Sequence, residues 1–183
     1  MAPDPTQPFR AMAYNNAWAN QRLLTACLAL SPEDFVAPRT GFFPSIRATL
    51  NHILIVDWFY VDALEGGTLG PAAWADREPC GTPAALLEAQ AAVDRRLIAV
   101  TEAADLSRIV EVNRFTRIQR DRMDRLLLHL FQHQIHHRGQ AHAMLSGTPV
   151  KPPQLDEFFP EAEAPLRAGE FAALGWAEET IWR

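Results

Sequence analysis

No proline interrupts the chain between Arg122 and Ser146, and these 25 residues carry five of its six histidines. Apolar residues recur through the stretch at helical intervals: Leu126, Leu127, Leu130, Phe131, Ile135, Ala141 and Leu145. That pattern predicts one long helix, with Asp121 as its N-cap and Gly147 as its stop. Within it His129, His133 and His137 are spaced four apart, about one turn each, so their imidazoles share a face. Neutral imidazoles turned toward a core are costly unless each ring nitrogen has a partner. A metal ion satisfies one nitrogen per ring, and a carbonyl or carboxylate can accept from the other.

His52 lies in a second apolar run about eighty residues earlier. With two histidines of the long helix it would complete a facial tripod. Three protein ligands leave positions open for water or substrate, the pattern of a reactive metal rather than a structural one. Spacing alone does not separate the pair His129/His133 from His133/His137. His136 is about 100° around the helix from His137 and is expected outside the tripod. The residues between His133 and His137 are Gln134-Ile135-His136. The glutamate of the H-E-x-x-H zinc-protease signature is therefore missing, and that class is excluded.

The rest of the chain supplies three more long helical patterns. The first runs from about Phe9 to Leu30, on Ala13, Ala17, Leu24 and Leu28 widened by Leu23 and Cys27, and ends at Ser31-Pro32. Glu33–Pro44 reads as a loop. Ser45 caps a second helix from Ile46 to Leu64, apolar on most sides, which Gly66-Gly67 terminates. Thr68–Gly81 reads as a connecting loop. Thr82-Pro83 opens a third helix that continues to about Ala103. Residues 109–112 and 115–118 alternate apolar and polar around Asn113-Arg114, which predicts a short hairpin. After Gly147 a proline-rich tail precedes a short helix near Pro165–Leu174 and a turn ending at Trp182. Four helices of this length make an all-α four-helix bundle the natural architecture. The expected organisation is a metal-binding bundle over residues 1–147 and a C-terminal extension, 148–183, packed on it.

Composition narrows the functional classes. The net charge of −5, from 17 basic and 22 acidic residues, disfavours a nucleic-acid binder. Local basicity is confined to Arg114, Arg117, Arg120, Arg122 and Arg125, read as a solvated loop and helix start, or else as an anchor for an anionic substrate or partner. No apolar run reaches the roughly 20 residues that span a bilayer. The Met1-Ala2-Pro3-Asp4-Pro5 start does not resemble a secretory signal, so the expected compartment is the cytoplasm. Cys27 and Cys80 have no CxxC neighbour and are expected as free thiols.

Several segments together resemble a known family. His133-Gln134-Ile135-His136-His137-Arg138-Gly139-Gln140 is similar to the H-x-x-x-H-R-G-Q signature of the DinB/YfiT-like superfamily. Leu50-Asn51-His52 followed by Asp57 resembles the second-helix motif of its DinB branch. Asn16-Ala17-Trp18-Ala19-Asn20 resembles the first-helix N-x-W-A-N motif, and Phe42-Phe43-Pro44-Ser45-Ile46 the loop into the second helix. The resemblance covers about Phe9 to Ser146. It implies a four-helix bundle of unusual connectivity, commonly a homodimer, with zinc or nickel held by His52, His133 and His137. His129 is the main rival ligand.

Characterised members of that superfamily include thiol S-transferases and a thiol-dependent isomerase, in which the metal binds the sulfur of a low-molecular-weight thiol. The resemblance therefore implies a metal-dependent thiol transferase for detoxification or stress response, acting on a small molecule. A metal-dependent hydrolase and a non-catalytic metal-binding dimer that serves as a stress module are the competing readings. Asp57, Tyr60 and Arg138 are candidate pocket residues. Asp57 can accept from a histidine of a neighbouring helix or act as a cap or ion-pair partner. Tyr60 can line the pocket, donate a proton or belong to the core. Arg138 can bind a substrate carboxylate or make a surface or helix-end ion pair.

Overall fold

A computed structural model of the chain describes residues 4–182. Four long helices dominate it: α1 (Gln7–Cys27), α3 (Ile46–Glu65), α4 (Pro83–Glu102) and α5 (Met123–Leu145). Each of α1 and α3 packs against both α4 and α5, which closes a four-helix bundle. Three short helices, α2 (Pro32–Val36), α6 (Ala164–Leu174) and α7 (Glu178–Trp182), and a hairpin of β1 (Ile109–Arg114) and β2 (Arg117–Arg122) complete the chain. The all-α reading and its hairpin before the last long helix match this architecture. No described helix is long and apolar enough to cross a membrane. Residues 1–3 of the N-terminal stretch read above as no secretory signal lie outside the described residues.

The helix starts follow from side-chain chemistry. The Ser45 hydroxyl accepts from the Ala48 N–H at 3.1 Å, and Thr82 does the same for Ala85 at 3.2 Å with Pro83 in the first turn. At the other end of α3, Gly66 is left-handed (φ 86°), which lets its N–H reach back to the last carbonyls. Asn51 exchanges two hydrogen bonds of 2.9 Å with the backbone of Cys80. That pair pins the loop after α3 against the segment that carries His52.

Four local readings are corrected. Ser31 does not simply end the first helix: its hydroxyl accepts from the Asp34 N–H at 3.0 Å and nucleates α2 inside the presumed loop. The hairpin turn is Phe115-Thr116, not Asn113-Arg114, because Arg114 pairs with Arg117 and extends the ladder. Asp121 is not the cap of α5, because it pairs with Val110 in the sheet and accepts from Gln119. Arg122 occupies the cap position, without a capping side-chain bond, and the Met123 N–H goes to the Arg108 carbonyl at 2.9 Å. The segment after α3 contains a 3-10 turn, Gly70–Trp74, where a connecting loop was expected.

The residues after Gly147 lie along α1. Trp18 Nε1 donates to Glu170 at 2.6 Å, Arg22 donates to Glu170 and Glu157, and Arg10 donates to the Ile181 carbonyl. Phe158 is fully buried, with its ring 5.7 Å from Trp18. This cover explains why α1 is buried on more than its bundle-facing stripe. Both cysteines are free and buried, and burial pushes the Cys27 thiol up to about 12. Replacing Ser45 by alanine removes the cap that starts α3 and should cost about 1 kcal/mol. Urea unfolding of the metal-free protein checks this, and an unchanged midpoint would show that the cap does not matter.

Candidate metal centre

His52 on α3 and His133 and His137 on α5 converge, with ligating nitrogens all within 4.8 Å of one another. The Nε2 atoms of His52 and His133 are 3.0 Å apart. Four-coordinate zinc with bonds of about 2.0–2.1 Å holds its nitrogens about 3.3 Å apart, so this pair is already near the required span and a modest ring rotation closes the rest. His137 is the most deeply set, 7% exposed, while the other two are half-buried. His137 Nδ1 donates to Gln140 Oε1 at 2.8 Å, which leaves its Nε2 lone pair free for an ion. Gln140 in turn donates to His136 Nε2 at 3.1 Å. His136 is exposed and outside the cluster.

His129 also remains outside. Its ring centroid is 6.4 Å from that of His133, and it meets Tyr60 edge-on at 5.4 Å. His142 donates to the Pro153 carbonyl at 2.9 Å and ties the tail to α5. The loop before α3 adds an apolar rim. Phe43 stacks 4.4 Å from His52 and 5.5 Å from His137, and Phe42, 76% exposed, lies 6.2 Å from His137.

Burial is the main force on the three imidazoles; repulsion within the trio adds to it at His52 and His133, while at His137 the Gln140 hydrogen bond opposes it and His136 adds to it. The His52 ring is held down at about 4 and His133 at about 3, and His137 is lowered as well. Desolvation penalises the cationic form, so all three are neutral at pH 7. Neutral imidazole is the form that binds a metal. Three neutral donors within reach of one cation, one already oriented by an amide, fit a divalent ion.

Asp57 and Arg138 belong to a second structure. Both are almost fully buried. Arg138 Nη1 donates to the side-chain oxygens of Asn16 and Asn20, at 2.7 and 2.8 Å. Those asparagines donate to Asp94, and Gln90 donates to Asp94 and, at 2.6 Å, to Asp57. This buried polar knot takes members from all four long helices. Asp57 therefore faces Gln90 rather than a histidine, and Arg138 is neither a surface residue nor turned toward the histidines. Burial raises both carboxyl groups, and Arg138 opposes this by its charge. Tyr60 is buried between Phe59 and His129, and its hydroxyl accepts from Arg114.

Gln90 and Asp94 were not singled out from the sequence. Their signal is two polar residues four apart on the α4 face that otherwise presents Leu86, Val93 and Leu97. Gln140, one turn beyond His137, reads in the sequence as a residue that hydrogen-bonds within or between helices, and the phenyl rim enters only through the loop motif.

The fold and the convergent histidines together define a class of helical bundle with a histidine cluster that could hold a metal ion. A family model described as "DinB family" matches residues 4–170, so the chain belongs to the DinB family. Protein DinB of Bacillus subtilis (strain 168) is 27% identical over 144 residues, 75% of this chain and 83% of that one. The crystal structure of a DinB-like protein from Bacillus cereus ATCC 10987 superposes with a TM-score of 0.61 at 15% identity. It covers 77% of this chain and 91% of its own, and shows the shared fold.

Two outcomes follow. Unfolded histidines take a proton near 6.5, whereas the folded rings resist it until about 4 or below. Between these values the unfolded chain binds more protons, so metal-free protein should lose stability as pH falls through that window. The His52→Ala variant should lose less over the same range in pH-dependent urea melts. An identical pH slope in both proteins would contradict the lowered His52 value. Separately, Arg138→Leu leaves Asp57 and Asp94 without their cation and should cost about 3 kcal/mol. A loss below about 1 kcal/mol on urea unfolding would show that the knot does not need the charge.

Proposed function

We propose that the chain holds one divalent cation, zinc or nickel, on His52, His133 and His137 in the cytoplasm. It presents a low-molecular-weight thiol to an electrophilic small molecule, as an S-transferase of detoxification or stress response. The observation that carries this reading is the half-buried tripod of neutral imidazoles beneath a phenyl rim. A divalent cation bound there supplies uncompensated positive charge, which favours thiolate over thiol at neutral pH.

The chain's own groups define the rest. The three imidazoles contribute no negative charge, so an anionic sulfur is not repelled. A water-activating hydrolase generally needs a base beside the site to take a proton, and the close cluster holds no carboxylate among the described residues, which favours the thiol reading. Phe42 and Phe43 provide apolar surface for the electrophile and exclude water from one side. Gln140 holds His137 in one orientation and one tautomer. Leu128 and Ile135, both exposed on the outward side of α5, supply apolar surface for pairing as a homodimer.

Protein purified without a histidine tag should contain about one metal per chain and conjugate a bacterial thiol to an electrophile. His52→Ala should lose both the metal and at least about 100-fold in turnover. Hydrolysis without added thiol, abolished by a chelator and restored by metal, would replace this reading with a hydrolase. No turnover on any thiol and electrophile of a broad panel, with His52→Ala altering stability alone, would leave a non-catalytic metal module.

A further inference from the structure

The arginines of the hairpin region divide into two groups. Arg120 is paired with Glu111 at 2.7 Å and Arg122 with Asp124 at 2.6 Å. Arg114, Arg117 and Arg125 make no ion pair among the described residues. Arg114 and Arg117 are directly opposed where β1 turns into β2. Like charges in that position repel, and nothing in the sheet requires them. Arg114 is half-buried. Its guanidinium lies 5.2 Å from the Tyr60 ring centre and donates to the Tyr60 hydroxyl and, at 2.9 Å, to Gln119. Both acceptors are neutral. Asp121 is the partner of Gln119 rather than of an arginine.

This cluster is continuous with the histidine site. Tyr60 abuts His129, and His129 is one turn from His133 on the same face of α5. Arg125 is one further turn along, exposed. Tyr60 is eight residues from His52 on α3 and Arg125 eight from His133 on α5, so the arginines begin about 12 Å along the helices from the tripod. Histidines able to hold a metal at one end and guanidinium groups without an ion pair at the other suit a molecule with a soft reacting end and a hard anionic end. Guanidinium matches a carboxylate in shape as well as charge.

We propose that Arg114 and Arg117 form an anion subsite that binds the carboxylate of a small acidic thiol whose sulfur lies at the histidine tripod. The inference rests on the thiol reading for the position of the sulfur, but the subsite itself is independent of it.

Calorimetric titration of the zinc-loaded protein with glutathione, its diethyl ester and S-methylglutathione separates the two. Glutathione should bind about tenfold more tightly than the ester. Arg114→Gln should reduce that preference to less than about twofold. Arg117→Gln changes an exposed strand end and should cut the preference several-fold, which keeps the test valid if Arg114→Gln fails to fold. Equal binding of acid and ester by the wild-type protein, a preference unchanged in both variants, or no binding of any of the three probes would overturn the proposal. S-methylglutathione bound as tightly as glutathione, with the same dependence on Arg114, would uphold the subsite while removing the sulfur from the metal.

Discussion

The rotation of four helices about their own axes is set by the buried polar knot of Asn16, Asn20, Asp57, Gln90, Asp94 and Arg138. Apolar packing tolerates small rotations and slides, because Leu and Val side chains have no directional demands. A buried guanidinium and two buried carboxyl groups tolerate neither, since each lost hydrogen bond leaves a desolvated polar atom. Arg138 reaches two asparagines of α1, and the bonds continue through Gln90 on α4 to Asp57 on α3. His137 precedes Arg138 and so points about 100° away from it. Locking Arg138 inside the bundle therefore aims His137 toward His52 on α3.

The same logic applies to the other two ligands. Gln134 follows His133 and donates to the Ile53 carbonyl, which follows His52. One buried amide thus ties the two ligand-bearing segments at the point where their imidazoles meet. The histidine cluster is consequently assembled by residues adjacent in sequence to each histidine but turned about 100° away from it. Burial sufficient to keep the rings neutral is a by-product of that close approach. Hydrophobic cover then comes from Phe42 and Phe43, and Arg114 of the hairpin lies beyond His129, on Tyr60.

Much of this was legible from one sequence. Ser45 and Thr82-Pro83 mark helix starts because capping is local chemistry. The i, i+4 histidines declare a shared face because helix geometry is local too. Failures occurred where tertiary contacts override local preference. Asp121 has the chemistry of a cap but is held in a strand by Val110, and the turn moved because Arg114 continues the ladder to reach Tyr60. Arg138 carries a charge that normally means solvent, and its burial becomes visible only when Asn16, Asn20 and Asp94 are seen together. The choice of His137 over His129 came from the family signature; in three dimensions it reflects which turn of α5 passes His52.

The most direct test of the account is anomalous X-ray diffraction from crystals of the tag-free protein grown with zinc. One peak about 2.0–2.1 Å from a ring nitrogen of each of His52, His133 and His137 is the predicted result. A peak on His129 or His136 instead, or no ordered metal while the three rings stay apart, would contradict it.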